Sequence, residues 1–397
     1  MNNDGVVIAG GGLAAQRCSE TLRKGGYAGS IKIICGEAVR PYDRPPLSKE
    51  VLAGEQSVDD LAFRPASWYD EQAVELLLGK QATALDASGR KVALDDGSEI
   101  SYDKLLIATG STPRRLSLFD GYPNVFTLRN ADDAIALNRA ITPGARLIVI
   151  GAGFIGQEVA ATARKIGAEV TILEAMPVPL EGILGSELGS WFAELHREEG
   201  VEVLCSTIAN TVVLGADGGV DALVTTEGRR LECDAIVVGV GVMAADEWLV
   251  DSDLSGGVEI DSHGRTEVPD VFAAGDVARQ FDPYSETYAR SEHWEAAGRQ
   301  GIAAARTMLG QEVAASTPAS FWSDQYGLRV QYLGYSANAD SIEIDGNPAS
   351  RNFSARWKIG GRTIGGLLVD RQRHLPQLRR DIHETLEIHH HKEKIAS

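Results

Sequence analysis

Two stretches of the chain share one order of apolar and small residues. Val6-Val7-Ile8-Ala9 is a short apolar run ending in Gly10-Gly11-Gly12, and from Leu13 to Lys24 the residues Leu13, Cys18 and Leu22 fall on a helical period. Ile31 to Cys35 follows as a second buried strand and completes a strand-helix-strand opening. The order recurs later, with Arg146 to Ile150 as an apolar strand, Phe154 to Ile166 as a helix, Gly167 as its stop signal and Glu169 to Leu173 as the next strand. Two copies of one opening predict two nucleotide-binding domains rather than one elaborated sheet.

Punctuation between these stretches sets the expected boundaries. Leu105-Leu106-Ile107 is an apolar strand broken at Ala108-Thr109-Gly110, and Pro113-Arg114-Arg115 then reads as an exit from the first domain. Ala235 to Gly241 reads as a strand ending in Gly239-Val240-Gly241, where the chain returns. After Gly310 short alternating strands take over, among them Leu328 to Leu333 and Arg351 to Ile359, before a charged helical tail from Leu375. The expected fold is α/β: two doubly wound, Rossmann-like domains, the first discontinuous over 1–112 and 242–315 and the second over 113–241, plus a C-terminal α+β domain over 316–397.

The glycine runs carry the candidate chemistry. In Gly10-Gly11-Gly12-Leu13-Ala14-Ala15, Gly10 supplies a tight turn and Gly12 lets backbone N–H groups approach a pyrophosphate, while the small Ala15 lets helix and strand pack closely. The helix N-terminus then faces the phosphates with its partial positive charge. Glu37, just beyond the second strand, is placed to accept hydrogen bonds from an adenosine ribose. Gly151-Ala152-Gly153-Phe154-Ile155-Gly156 has all three glycines, and Glu174 ends the following strand. A carboxylate there hydrogen-bonds both ribose hydroxyls of NADH and repels the 2′-phosphate of NADPH; Ala175 and Met176 follow it, so no arginine waits for that phosphate.

Composition narrows the picture. A chain of 397 residues, 44% hydrophobic and 24% charged, is long enough for two or three domains. Its formal charge of -18 argues against nucleic acid or anionic lipid as a partner. No apolar run is long enough to span a membrane and Met1 to Val6 carries no basic leader, so a cytoplasmic enzyme is expected. Cys18, Cys35, Cys205 and Cys233 are scattered without a Cys-x-x-Cys pair or metal-ligand spacing, and read as small buried thiols.

Five further motifs carry a resemblance. Pro41-Tyr42-Asp43-Arg44-Pro45-Pro46-Leu47-Ser48-Lys49, Ala108-Thr109-Gly110, Gly275-Asp276-Val277, Glu292-His293-Trp294 and Trp322-Ser323-Asp324-Gln325 stand in family order. With them the chain resembles the FAD-containing NADH:ferredoxin reductases of bacterial Rieske-type ring-hydroxylating dioxygenases, related to the putidaredoxin and rubredoxin reductases, and so the glutathione-reductase type of fold. The resemblance implies that the first cradle holds FAD and the second NADH. It implies that Arg44 and Lys49 sit beside FAD, with the lysine near the isoalloxazine, and that Asp276, after Gly275, hydrogen-bonds the ribityl chain. Ala14, Ala82 and Arg129 match further FAD-contacting positions, as do Ala108 and Gly110 in their turn, and Gly241 goes with the NADH cradle. Glu158 would by its place alone be a surface helix residue; the resemblance puts it near the nicotinamide. Trp294 and Trp322 match positions around the flavin ring. Ala296 and Ala244-Ala245 depart from the family pattern, which touches fine contacts at the flavin rim rather than either cradle.

The implied mechanism is hydride transfer from NADH to FAD and two single-electron transfers to a small iron-sulfur ferredoxin, Rieske-type in the first instance. No side chain acts as nucleophile. Lys49, Glu158 and Trp322 are the candidate catalytic residues, and no metal is expected. Two alternatives stay open: a flavin NADH oxidase or peroxidase, although the Pro41 to Lys49 run lacks the cysteine of such peroxidases, and a redox-sensing protein resembling apoptosis-inducing factor. Arg371, Arg373, Arg379 and Arg380 give the tail local positive charge that could steer an acidic ferredoxin or form a solvated face. His389-His390-His391 read as a disordered or incidental terminal run rather than a metal site.

Overall fold

The computed structural model describes residues 4–396 apart from 251, 253, 255, 256, 283–285, 314–317 and 319, with side chains as far as 386. The side chains of His389 to His391 and the expected boundary between 315 and 316 therefore lie outside what is described, while the backbone of those three residues runs within the helix Leu375–Ala396. Contacts group the chain into two compact units, one of 1–43, 59–112 and 243–321, the other of 44–58, 113–242 and 322–397.

In the first unit Val6–Ala9 lies at the centre of a five-stranded parallel sheet, in the order Val271–Ala273, Lys104–Ile107, Val6–Ala9, Ile31–Cys35, Val74–Leu78. A central parallel strand is covered on both faces, and so its residues run apolar without alternation. Leu13–Lys24 turns Ala15, Cys18 and Leu22 onto one face of the sheet. Tyr102, Leu249, Leu254 and Val258 pack with Val7 and Ala9 in the cluster on the other. The helix Trp294–Met308 crosses Leu13–Lys24 so closely that a Cβ on Gly301 would fall 2.3 Å from the Ala14 carbonyl oxygen.

The second unit repeats the plan, with parallel strands in the order Glu202–Leu204, Glu169–Leu173, Arg146–Ile150, Ala235–Val238, Val125–Phe126. The helix Phe154–Ile166 ends where Gly167 takes a φ of 100°, the left-handed stop read from the sequence. Ala235–Val238 is shorter than expected: the Gly239 N–H makes the last ladder bond, to the Ile150 carbonyl, and Gly241, at φ 96°, then turns the chain away. Likewise Arg351 takes a positive φ and falls outside Asn352–Ile359.

From residue 322 on, the same unit holds the rest of the chain, folded as a second sheet in the order Ser320–Gln325, Leu328–Gly334, Arg362–Val369, Asn352–Ile359, Ser341–Asn347. Its last three pairings are antiparallel, and the two-residue link Tyr326-Gly327 requires the same of the first. The helix Leu375–Ala396 closes one face by laying Leu378 and Ile382 on Leu333 and Leu368. Leu378→Ala should destabilise this sheet by about 3 kcal/mol, because a fully buried leucine is exchanged for a cavity; denaturant unfolding followed by tryptophan fluorescence, to which Trp357, buried in the sheet, contributes, checks this.

Candidate functional site

The first cradle is shaped by backbone contacts that admit no side chain. Gly10 takes a φ of 121°, and a Cβ there would fall 2.0 Å from the Ala108 carbonyl oxygen, so Gly10 and the Ala108-Thr109-Gly110 turn fit together only as they stand. Gly12, by contrast, faces open space, with nothing within 4 Å of where its Cβ would be. It is the N-cap of Leu13–Lys24 and no side chain caps that helix, which leaves the first N–H groups available to an anion. Ala14 and Ala15 are buried behind it. A dinucleotide pyrophosphate fits this arrangement.

Around the cradle the first unit gathers other expected residues. Glu37 accepts a hydrogen bond from Tyr42 Oη at 2.7 Å, which fixes its carboxylate. Asp276 accepts from Ser111 Oγ at 2.8 Å, and the Gly275 N–H before it donates to Gln300 Oε1 at 2.8 Å. Trp294 donates through Nε1 to Asp43 Oδ1 at 2.6 Å, so its indole is oriented rather than merely packed. Ala82 opens the strand Ala82–Asp86, paired with Leu94.

The second cradle lies in the other unit. Gly151, at φ 97°, would carry a Cβ 2.6 Å from the Gly239 carbonyl oxygen, and a Cβ on Gly156 would meet the Gly151 carbonyl oxygen at 2.3 Å. Gly153 is the uncapped N-cap of Phe154–Ile166, with no closer neighbour than the Gly239 oxygen at 4.0 Å. Glu174 Oε2 accepts the Ala152 N–H at 2.7 Å and its Oε1 the Met176 N–H at 2.8 Å, which holds the carboxylate at the strand end beside the cradle. Phe154 is half-buried against Phe192, Ile155 is exposed, and Gly241 accepts the Arg114 N–H at 2.9 Å. A second dinucleotide fits here on the same grounds.

Arg44, Lys49, Arg129 and Trp322, expected at the flavin, group with this second unit. Arg44 Nη1 donates to the Arg129 carbonyl at 2.7 Å, which brings two of them together. Lys49 Nζ pairs with Glu158 Oε2 at 2.6 Å, and the two side chains are only 14% and 8% exposed. Ser48 Oγ donates to the same carboxylate oxygen at 2.6 Å and Ser323 Oγ to Oε1 at 2.7 Å. Glu158 is therefore no surface helix residue, as its place alone suggested. It is a buried carboxylate satisfied by three donors. Lys49 is likewise held, its ammonium also reaching the Pro45 carbonyl at 3.0 Å. Trp322 lies with the Arg329 guanidinium 5.1 Å from its ring centroid.

The cysteines offer no redox pair. All four are free; Cys18, Cys35 and Cys233 are buried and Cys205 half-buried. Burial pushes the Cys35 thiol up to about 12 and Cys233 to about 11, so neither forms a thiolate near neutral pH. The arginine tail is also less free than its sequence suggested. Arg371 pairs with Asp345 and donates to Asn352 Oδ1, and Arg380 donates to Gln377.

His196, on the helix Glu181–Glu198, gave no signal in the sequence. It is 1% exposed, with Nε2 3.1 Å from both Gln157 Oε1 and Gln325 Oε1 and Nδ1 2.7 Å from Tyr326 Oη. Two carbonyl oxygens on Nε2 fix its proton there, and Nδ1 accepts from the tyrosine. Burial holds this ring neutral, its pKa lowered to about 4. The unfolded chain binds the proton near 6.5, so this contribution to stability is complete above that pH and is lost as pH falls towards about 4. His196→Gln should flatten the loss of stability over that interval, by an amount on the order of 3 kcal/mol, in denaturant titrations run from pH 7 to pH 4.

Two helix starts left open to phosphate, each with an acidic residue at the following strand, define an oxidoreductase that handles two dinucleotides. The chain belongs to the pyridine nucleotide-disulphide oxidoreductase family, whose model matches residues 4–301; a reductase C-terminal model matches 320–393. The chain is 35% identical to the anthranilate 1,2-dioxygenase system ferredoxin--NAD(+) reductase component of Burkholderia cepacia, over 96% of this chain and 94% of that one. It is 37% identical to the biphenyl dioxygenase counterpart of Paraburkholderia xenovorans, over 87% of this chain and 85% of that one. Among solved structures the covalent putidaredoxin reductase–putidaredoxin complex superposes with a TM-score of 0.92 at 33% identity, covering 96% of this chain and 93% of that one.

The glycines give a paired test. Gly12→Val should purify without FAD absorbance and melt as the FAD-stripped parent does, whereas Gly10→Val should lower stability below that reference by several kcal/mol, on the order of a severe backbone conflict; absorbance spectra and thermal melts of the two variants check this.

Proposed function

We propose that this chain passes electrons from NADH, through FAD, to a small iron-sulfur ferredoxin of an oxygenase system, Rieske-type in the first instance. One observation carries the reading: two separate phosphate cradles in one chain without any thiol pair. Bound FAD supplies what this requires, because it takes two electrons from NADH and gives them up singly.

The side chains orient and balance charge. Gly10 to Ala15, with Glu37 and Asp276, hold the flavin dinucleotide, and Gly151 to Gly156, with Glu174, hold NADH. Arg44, Ala82, Ala108, Gly110, Arg129, Gly275 and Trp294 complete the flavin set, and Gly241 the NADH set. Glu158 holds the Lys49 ammonium in place, so that a fixed cation serves the flavin ring without reorganising during turnover. Trp322 lies on the electron exit. The FAD-binding domain comprises 1–112 and 242–315, the NADH-binding domain 113–241 and the C-terminal domain 316–397. The site of action is cytoplasmic; four free cysteines support this, since disulfides are rare in that compartment. Among the described residues no helix is long and apolar enough to cross a membrane.

The related names support the partner class: relatives at 35% and 37% identity are reductase components of dioxygenase systems. The test is NADH-driven cytochrome c reduction with a purified Rieske ferredoxin, a putidaredoxin-type ferredoxin or oxygen alone. The Rieske ferredoxin should raise kcat/KM at least about tenfold over oxygen alone, and NADH should outperform NADPH. Equal turnover with and without ferredoxin would replace the reductase by an NADH oxidase.

A further inference from the structure

The helix Phe154–Ile166 opens the second cradle, and the polar side chains Gln157, Glu158 and Thr162 on it are buried. Each has a partner. Gln157, fully buried, donates through Nε2 to the Ala152 carbonyl at 2.8 Å, while the Ala152 N–H is bound by Glu174. The Ala152 residue, between Gly151 and Gly153, is thus held from both of its backbone polar groups.

What holds Gln157 comes from far along the chain. Its Oε1 shares the His196 Nε2–H with Gln325 Oε1, both at 3.1 Å. Gln325 then donates to Ser323 Oγ at 3.0 Å, and Ser323 donates to Glu158 at 2.7 Å. The direction of donation is uniform. It starts at Tyr326 Oη, enters His196 Nδ1 and divides at Nε2 into a branch ending on the Ala152 carbonyl and a branch ending on Glu158. Chains of this kind polarise each member, so an early loss is felt at the ends.

Tyr326 is in an unfavourable conformation for its place. It occupies the first position of the two-residue turn between Ser320–Gln325 and Leu328–Gly334, with φ at 52° and Gly327 at 76°. Such turns select asparagine, aspartate or glycine at that position, and a left-handed tyrosine costs roughly 1–2 kcal/mol. The phenol it aims at His196 is what that conformation achieves.

We propose that Tyr326, His196, Gln157 and Gln325 are positioning residues through which the C-terminal sheet sets the backbone of the NADH cradle and the Glu158 carboxylate. The C-terminal sheet is then a working part of the NADH site. None of the four touches the dinucleotide; they act through the Ala152 carbonyl and Glu158. The proposal rests on the Gly151 to Gly156 run being the NADH cradle.

The test uses FAD-loaded enzyme and the dissociation constant of NAD+ measured by calorimetry, with FAD content and melting temperature recorded beside it. His196→Leu should weaken NAD+ about tenfold and Tyr326→Phe about threefold, the size of one lost or weakened buried hydrogen bond. Both should keep full FAD content and raise KM for NADH more than they lower kcat. His196→Gln, which keeps an N–H near the Nε2 position, should return to within about threefold of the parent. Gly153→Val serves as the reference and should abolish NAD+ binding. If both hydrogen-bond variants bind NAD+ as the parent does while Gly153→Val does not, the positioning role is overturned and the cradle stands. If Gly153→Val also binds NAD+ normally, the cradle assignment falls and the proposal with it. Should His196→Leu fail to fold, Tyr326→Phe decides alone.

Discussion

A carboxylate cannot lie in a protein interior unless donors replace the water it has lost, and the cost of failing to do so is several kcal/mol. Glu158 is 7% exposed and meets that condition with Lys49, Ser48 and Ser323. These donors come from one short run near residue 48 and from the strand Ser320–Gln325, more than a hundred positions away on either side. The second cradle helix is therefore where three distant segments of one unit are joined. Removing a donor would leave part of a buried charge unsolvated, so the fold of this unit and the placing of the lysine depend on the same four side chains.

The cradles were legible because everything that defines them is local. A strand, a turn at positive φ, an open helix start and an acidic residue at the next strand end all fall within about thirty residues, and each has a sequence mark. The helices Leu13–Lys24 and Phe154–Ile166 follow the spans that their apolar period and flanking glycines predict. The apolar strands were legible for a related reason: a parallel strand covered on both faces needs uninterrupted hydrophobicity. Strand ends were less so. Gly241 turns the chain away just past Ala235–Val238, and Arg351 turns left-handed before Asn352–Ile359, where nothing in the pattern distinguishes a strand residue from a turn residue.

Glu158 was misjudged on its own position for a physical reason. Periodicity assumes that polar residues on a helix face water, but Gln157, Glu158 and Thr162 face partners brought in by tertiary structure. The Thr162 hydroxyl binds the Ser48 carbonyl at 2.7 Å, across 114 positions. No window along the sequence contains both ends of such a bond. Tyr42, Asp43, Ser48, Ser323 and Gln325 were within motifs already recognised, so their neighbourhood was visible although their partners were not. His196 lay in no motif, and only its burial against two glutamines and a tyrosine gives it meaning.

An electron-transfer enzyme of this design asks little of nucleophiles and much of placement. The buried thiols fit that demand, since Cys35 lies against the first cradle yet is held in its neutral form by burial. A reactive thiolate there would divert electrons into disulfide chemistry. The same logic explains why polar groups are buried around the second cradle at all. An apolar helix interior would pack as well and cost less, but it would leave the Ala152 backbone and the Lys49 ammonium free to wander. Hydrogen bonds have direction where hydrophobic contacts do not, and holding a peptide and a cation to a fraction of an ångström needs direction.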